Sequence, residues 1–207
     1  MMTDLFPEEE QQPIILNQEL GKLSCYPDWL TPSESHHYFR LFSEELNWQN
    51  ETLLMAGKRV LSPRLVSWYG DNNAQYRYSG TSYTAQAWHP GLKELKDRLN
   101  DAFSAPINSV LANLYRNGRD SVGWHADSEP ELGKQPTIFS LSLGASRFFD
   151  YRQKNNNSSR QRIELHAGTL IIMQGSFQQY WQHQVPKQLK ILVPRINLTF
   201  RYINTRA

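Results

Sequence analysis

The sequence predicts a mainly β fold in which a sandwich or jelly-roll core is flanked by helices. Three observations carry this. From about Asn108 onward the chain is a succession of short apolar or alternating runs separated by turn residues, the pattern of packed strands. Ahead of them, two segments carry apolar residues at helical spacing. With 207 residues, 39% of them hydrophobic and 12% aromatic, the chain is long enough for one substantial core and too apolar for a disordered segment.

Residues 1–20 read as a flexible tail, polar and acidic at Glu8, Glu9 and Glu10, and residues 21–207 as a single domain. A first strand is expected at Lys22 to Tyr26, ended by Pro27 and Asp28. Thr31, Pro32, Ser33 and Glu34 then offer a capping hydroxyl, a proline at the first helical position and a carboxylate in the first turn, which together start a helix. Phe39, Phe42 and Leu46 follow at helical spacing, so this helix should run to about Leu46 with those side chains buried. A second helix is expected from Pro90 to Phe103, where Leu92, Leu95, Leu99 and Phe103 recur every three or four residues. Strands follow at Ser109 to Tyr115, Thr137 to Leu143, Arg147 to Arg152, Arg162 to Leu165, Thr169 to Gln174 and Arg195 to Tyr202. The run Asn155 to Ser159 marks an exposed loop between two of them.

Composition narrows the function classes. A single cysteine, Cys25, allows no internal disulfide and no thiolate cluster for zinc, so the default location is cytoplasmic. The N-terminal residues lack the basic-then-apolar order of a secretory signal. The longest apolar runs, such as Leu170 to Met173, are strand-sized and far short of the ~20 residues that cross a bilayer, so no membrane partner is expected. A monomer is the default. The net charge is only +2, but Asp4, Glu8, Glu9 and Glu10 lie in the tail, which leaves the folded part more basic and permits a nucleic-acid partner.

The chemistry gathers in the β-rich half. His125 and Asp127 are one residue apart, and on an extended segment such positions face the same side. His183, beyond the strand at Thr169 to Gln174, is the candidate third ligand. Two imidazoles and a carboxylate suit Fe(II) with coordination positions left for a co-substrate and dioxygen; zinc could use the same set. The triplet alone is a weak signal, since a lone histidine is more often structural. Along the last strand Arg195, Asn197, Thr199 and Arg201 share one face, and Ile196, Leu198, Phe200 and Tyr202 the other. Such a strand could simply be half exposed with solvated arginines. Beside a metal site, two arginines some six residues apart could instead hold both ends of a short dicarboxylate such as 2-oxoglutarate.

The stretch Asn113, Leu114, Tyr115, Arg116, Asn117, Gly118 leading to Trp124, His125, Ala126, Asp127 resembles the AlkB family of Fe(II)/2-oxoglutarate-dependent dioxygenases, in the branch of the animal DNA and RNA repair demethylases. Ser140 to Arg147 (SLSLGASR), Trp181, Gln182, His183 and Pro194 to Arg201 resemble further family signatures and follow in the family's order. The resemblance implies a double-stranded β-helix, a nucleotide-recognition lid at about 53–90 and a catalytic jelly-roll at about 108–204. It implies iron on His125, Asp127 and His183. It implies 2-oxoglutarate on Asn113, Tyr115, Arg195, Asn197 and Arg201, with Arg195 and Tyr115 at the distal carboxylate, Arg201 and Asn113 nearer the metal, and Thr199 on the same face.

The resemblance further implies oxidative removal of methyl groups from 1-methyladenine and 3-methylcytosine in DNA and RNA, releasing formaldehyde and succinate. The segment Gln75 to Gly80 is similar to the family's lid, which makes Tyr76, Arg77, Tyr78 and Ser79 the substrate candidates, although tyrosines in a strand can equally cover a core. Met55 and Ala56 stand where some duplex-active relatives carry an aromatic wedge, so single-stranded nucleic acid is the expected substrate. Ser128 stands where related enzymes often have a second aspartate. Two competing readings keep parts of the pattern. An oxygenase acting on tRNA modifications, protein or a small molecule would keep every metal and co-substrate residue; a zinc-binding jelly-roll module would not need Arg195 and Arg201. His36, His37, His89 and His166 have no ligand partner at useful spacing and read as structural, and Arg152, Lys154, Arg160 and Arg162 read as solvated surface.

Overall fold

Two helices cover one face of a long sheet, and a smaller sheet closes over the other. The structure is a computed structural model and describes residues 12–55, 58–71, 75–78 and 81–204. Strands β1 (Ile14–Asn17) and β2 (Lys22–Tyr26) form an antiparallel pair at one edge. Part of the expected tail is therefore sheet. Its apolar run Ile14, Ile15, Leu16 belongs to β1, with Leu16 packed against the core while Ile14 and Ile15 stay exposed.

Helix α1 (Pro32–Glu45) starts as expected. Glu34 N donates to Thr31 Oγ1 at 3.2 Å while Thr31 N donates to Glu34 Oε2 at 2.8 Å, a reciprocal cap of the kind that contributes about 1 kcal/mol. Its buried stripe runs through Ser35, Tyr38 and Phe42 rather than through Phe39, which is half-buried. Helix α2 (Pro90–Phe103) has the expected bounds and buries Leu92, Leu95 and Leu99 completely. His89 caps it, Nδ1 accepting from Gly91 N at 3.2 Å, which gives that histidine its structural role.

The expected division into a helical first half and a β-rich second half does not hold. The first half also supplies β3 (Gln49–Met55), β4 (Lys58–Gly70) and the hairpin β5 (Gln75–Tyr78) and β6 (Thr81–Thr84). Pro63 disguised β4, because a proline argues against a central strand. It is tolerated at a register shift: Asn50 faces Leu65 and Thr52 faces Leu61, so Pro63 stands where the ladder is interrupted, and its carbonyl accepts from Ser121 N at 3.2 Å.

The remaining strands are β7 (Ser109–Tyr115), β8 (Val122–His125), β9 (Ile138–Gly144), β10 (Arg147–Gln153), β11 (Gln161–Leu165), β12 (Leu170–Gln174), β13 (Trp181–Val185) and β14 (Arg195–Arg201), with a single-turn α3 (Phe177–Tyr180) ahead of β13. They make an eight-stranded sheet in the order β1-β2-β12-β9-β14-β7-β4-β3 and a four-stranded sheet β11-β10-β13-β8. This is the jelly-roll arrangement expected from the sequence. One apolar cluster lies between the helices and the large sheet and contains Phe42, Leu95, Leu141, Leu170, Ile172 and Leu198; the other lies between the sheets and contains Ile138, Phe149, Ile171, Met173 and Trp181. Alternate residues of β12 enter opposite clusters, which is why its sequence is continuously apolar rather than alternating.

Candidate active site

The two sheets diverge around a cavity of about 1070 Å³, at the upper end of the roughly 300–1,000 Å³ of pockets that bind small molecules. The period of β14 places its two faces. Ile196, Leu198 and Phe200 are wholly buried under the helices, while Asn197, Thr199 and Arg201 line the cavity from the opposite face. Neighbouring strands complete the polar wall by register: Asn197 faces Asn113 on β7, and Thr199 faces Ser140 on β9.

At one end, β13 pairs with β8 so that His183 stands opposite His125, their ring centroids 4.3 Å apart. His183 Nε2 lies 3.8 Å from Asp127 Oδ2, and Arg201 Nη1 lies 4.0 Å from Asp127 Oδ1. Among the described residues no three histidine, cysteine or acidic side chains are drawn into a closed metal cage. The donor set nevertheless fits: two ligands each about 2.1 Å from a shared ion can stand up to about 4.2 Å apart, and two imidazoles with one carboxylate suit Fe(II). His125 Nδ1 lies 2.9 Å from the Gly123 carbonyl, which can only accept, so Nε2 carries the free lone pair. Phe149 stacks on His183 at 5.2 Å and fixes its plane. Burial alone would raise the Asp127 carboxyl, but Arg201, His183 and His125 together hold it below the usual carboxylate range. Burial, with His125 beside it, pushes His183 down to about 3 against the opposing pull of Asp127, so its imidazole is neutral and able to ligate.

Beside Tyr115, which lines the cavity away from Asp127, Arg195 is completely buried. Its Nη2 donates to Ser142 Oγ at 2.8 Å and Asn197 Oδ1 at 3.0 Å, while Nε and Nη1 are buried with no hydrogen-bond partner among the described residues. The Tyr115 ring lies 5.3 Å from its guanidinium carbon. Burial lowers Arg195 to about 10, partly offset by Tyr115, so it stays charged at neutral pH. A buried cation with two unused donors fits the carboxylate of a small acid.

The structure therefore brings together His125, Asp127, His183, Asn113, Tyr115, Asn197, Thr199 and Arg201 around one cavity, with Arg195 packed against Tyr115. Tyr76, Arg77 and Tyr78 lie on the β5–β6 hairpin, where Tyr76 is in register with Tyr83, and Ser79 and Ala56 lie outside the described residues. The basic residues near the loop Asn155 to Ser159 are occupied locally: Arg160 and Arg162 bond the buried Asp150, and Arg152 stacks over Trp124 at 4.0 Å.

Three site residues carried no sequence signal. Gln178 on α3 accepts from Asp127 N at 2.9 Å and so fixes the backbone of the acidic ligand. Arg64 on β4 donates to Asn113 Oδ1 at 2.7 Å, and Glu51 on β3 stands beside it. The contacts of Gln178 and Arg64 with the ligand residues join positions 49 or more residues apart in the chain, and Glu51 meets Arg64 across the β3–β4 pair. No local pattern announces them.

Residues 22–201 match the 2OG-Fe(II) oxygenase superfamily. The human alpha-ketoglutarate-dependent dioxygenase alkB homolog 3 is 38% identical over 193 residues, which cover 89% of this chain and 67% of the relative. The mouse DNA oxidative demethylase ALKBH2 is 34% identical over 192 residues, covering 87% of this chain and 80% of the relative. The solved structure of OsALKBH1 matches 91% of this chain and 100% of its own with a TM-score of 0.61 at 16% identity, a likeness of fold. With two imidazoles, a carboxylate and a buried arginine disposed around one cavity, and similarity running through nearly all of the domain, the chain belongs to the 2OG-Fe(II) oxygenase superfamily, in its AlkB-homologue branch, and is an oxidoreductase using 2-oxoglutarate and Fe(II).

Proposed function

We propose that this enzyme oxidatively removes methyl groups from ring nitrogens of nucleic-acid bases, 1-methyladenine and 3-methylcytosine above all, in DNA and RNA and with single strands preferred. The observation that carries the reading is the two-ended cavity. One end offers His125, Asp127 and His183 as ligands for iron, the other is lined by Tyr115, against which Arg195 packs with its unpaired donors, and the space exceeds what a five-carbon diacid fills.

Arg195 would hold the distal carboxylate of 2-oxoglutarate, with Tyr115 beside it and with Ser142 and Asn197 fixing its aim. Arg201 and Asn113 would meet the co-substrate nearer the metal, with Thr199 between. When bound, Fe(II) couples dioxygen reduction and the decarboxylation of 2-oxoglutarate to succinate with hydroxylation of the methyl group, whose product loses formaldehyde. Gln178 would keep Asp127 oriented, and the neutral His183 needs to release no proton to ligate. A methyl on the pairing edge reaches this end only from an unpaired or extruded base. Tyr76, Arg77 and Tyr78 of the β5–β6 hairpin would be the residues on which that base stacks.

The test is mass spectrometry of a single-stranded oligonucleotide carrying one 1-methyladenine, incubated with protein, Fe(II), ascorbate and 2-oxoglutarate beside a His125→Ala control. Loss of one methylene unit that requires 2-oxoglutarate and is absent from the control is expected. Succinate formation through His125 with untouched oligonucleotides would overturn the substrate while leaving the enzyme class in place.

A further inference from the structure

The register shift that accommodates Pro63 also turns two charged side chains into the cavity. Asn50 faces Leu65 and Thr52 faces Leu61, so Glu51 stands opposite Ser62, Pro63 and Arg64. Bulges re-aim side chains in this way. Glu51 and Arg64 both line the cavity, at 7% and 6% exposure. Arg64 is held on two sides, Nε donating to Asn113 Oδ1 at 2.7 Å and Nη1 to Ser62 Oγ at 3.0 Å. Glu51 is not held. Its Oε2 is 3.6 Å from Arg64 Nη2, beyond hydrogen-bond reach, and among the described residues no other donor serves that buried oxygen. Burial pushes the Glu51 carboxyl up, and Arg64 reverses only part of the shift. A buried acceptor left without a donor is costly to the fold, and this one faces the space that a base would enter.

We propose that Glu51 is a specificity-determining residue that accepts a hydrogen from the exocyclic amino group of the alkylated base. The inference rests on the nucleic-acid demethylase reading above. Cytosine N4 and adenine N6 are amino donors, whereas thymine O4 and guanine O6, which occupy the corresponding positions, are carbonyl acceptors that an ionised carboxylate cannot bond. Methylation of the ring nitrogen makes cytosine and adenine cationic, and a carboxylate complements that charge too. The pair 3-methylcytosine and 3-methylthymine reads both effects together, since the two bases are close in size and differ in amino donor against carbonyl acceptor and in charge. Glu129 also lines the cavity with an unpaired buried oxygen, but it is half-buried and follows the metal carboxylate by two residues.

The test compares kcat/KM on single-stranded oligonucleotides carrying 3-methylcytosine or 3-methylthymine for the wild type, Glu51→Gln, Glu51→Asp and Glu129→Gln. Loss of one bond to a charged acceptor should lower the cytosine-to-thymine ratio in Glu51→Gln by about ten- to a hundredfold, with 3-methylthymine kept or improved because an amide can donate. Glu51→Asp withdraws the acceptor by one methylene and should shift the ratio the same way by less, even if the amide variant loses its fold. Parallel loss on both substrates would make Glu51 merely structural and overturn the proposal, as would a ratio that moves with Glu129→Gln instead. A wild type that removes neither methyl group while still converting 2-oxoglutarate to succinate would overturn the demethylase reading and this proposal together. Repair of 3-methylcytosine with an unchanged ratio in the Glu51 variants overturns this proposal alone.

Discussion

Arg147 and Arg195 are both buried, both lie against the ring of Tyr115, at 5.5 and 5.3 Å, and are bonded in opposite ways. Arg147, the first residue of β10, donates through Nε to Gln188 Oε1, through Nη1 to the Asn117 carbonyl and through Nη2 to the carbonyls of Asp120 and Pro186. It ties together two loops that also meet by backbone: Gly118 N donates to Ile191 O at 2.7 Å, and Gln188 N to Gly118 O at 2.8 Å. Gly118 has to be glycine there, since a Cβ would run into the Gln188 carbonyl. Arg195 uses only Nη2 and keeps two buried donors unpaired. Burial lowers the pKa of both guanidinium groups, so desolvation does not separate them. Satisfaction does: a saturated buried cation holds a fold together, and an unsaturated one is kept for a ligand.

That contrast is sharpest in the pair of methionine variants. Arg195→Met should weaken 2-oxoglutarate binding by roughly two to four orders of magnitude, from the loss of two charge-assisted bonds worth about 1.5–3 kcal/mol each. Calorimetric titration of 2-oxoglutarate into Mn(II)-loaded protein measures it. Stability should hold or rise, because a desolvated and underpaired charge is removed. Arg147→Met should do the reverse. Stranding three buried carbonyls should cost about 3–5 kcal/mol in chemical denaturation, while folded protein loses less than tenfold in co-substrate affinity. If both variants unfolded alike, the distinction between the two arginines would be broken.

Much of this site was legible because it is periodic. His125 and Asp127 on an extended segment, and the four polar residues alternating along β14, follow from a period of two, which the pleat enforces. Contacts between distant segments were not legible. Arg64, Glu51 and Gln178 enter the site through a register shift and a single helical turn, features that no neighbouring residues encode. Arg147 belonged to a recognisable motif, yet its sequence gave no means of telling a saturated arginine from a ligand-binding one. Pro63 hid β4 because a proline is compatible with a strand only where the ladder already fails.

His183 extends the same contrast to a titrating group. It is buried, its Nδ1 has no hydrogen-bond partner among the described residues, and burial with the neighbouring His125 pushes it down to about 3. In the unfolded chain histidine titrates near 6.5. Between those values the unfolded state binds the extra proton, so stability of the metal-free protein falls as pH drops. Asp127, held low mainly by Arg201 against the effect of burial, adds its own loss only below the ordinary aspartate range of about 4. Denaturation of metal-free protein should therefore show about 2 kcal/mol less stability at pH 5 than at pH 7 from His183. A His183→Leu variant should lack that difference; an equal loss in the variant would assign it elsewhere.

The smallest effect is expected where Arg195 is already satisfied. Ser142, opposite Asn197 on β9, accepts from Arg195 Nη2 at 2.8 Å, and Asn197 Oδ1 accepts from the same nitrogen at 3.0 Å. Ser142→Ala leaves one of the two N–H groups of Nη2 without its acceptor, while Asn197 keeps the other and still holds the guanidinium. The cost should be about 1 kcal/mol, or roughly fivefold in 2-oxoglutarate affinity, with little change in denaturation midpoint. The size of the loss separates two ways of aiming a guanidinium. If the strand aims it, loosening Nη2 lets Nε and Nη1 swing away from the co-substrate, and Ser142→Ala approaches the loss seen in Arg195→Met. If the Tyr115 ring and Asn197 are sufficient, the variant stays near fivefold, and the serine acts as one acceptor among several rather than as the pivot of the co-substrate site.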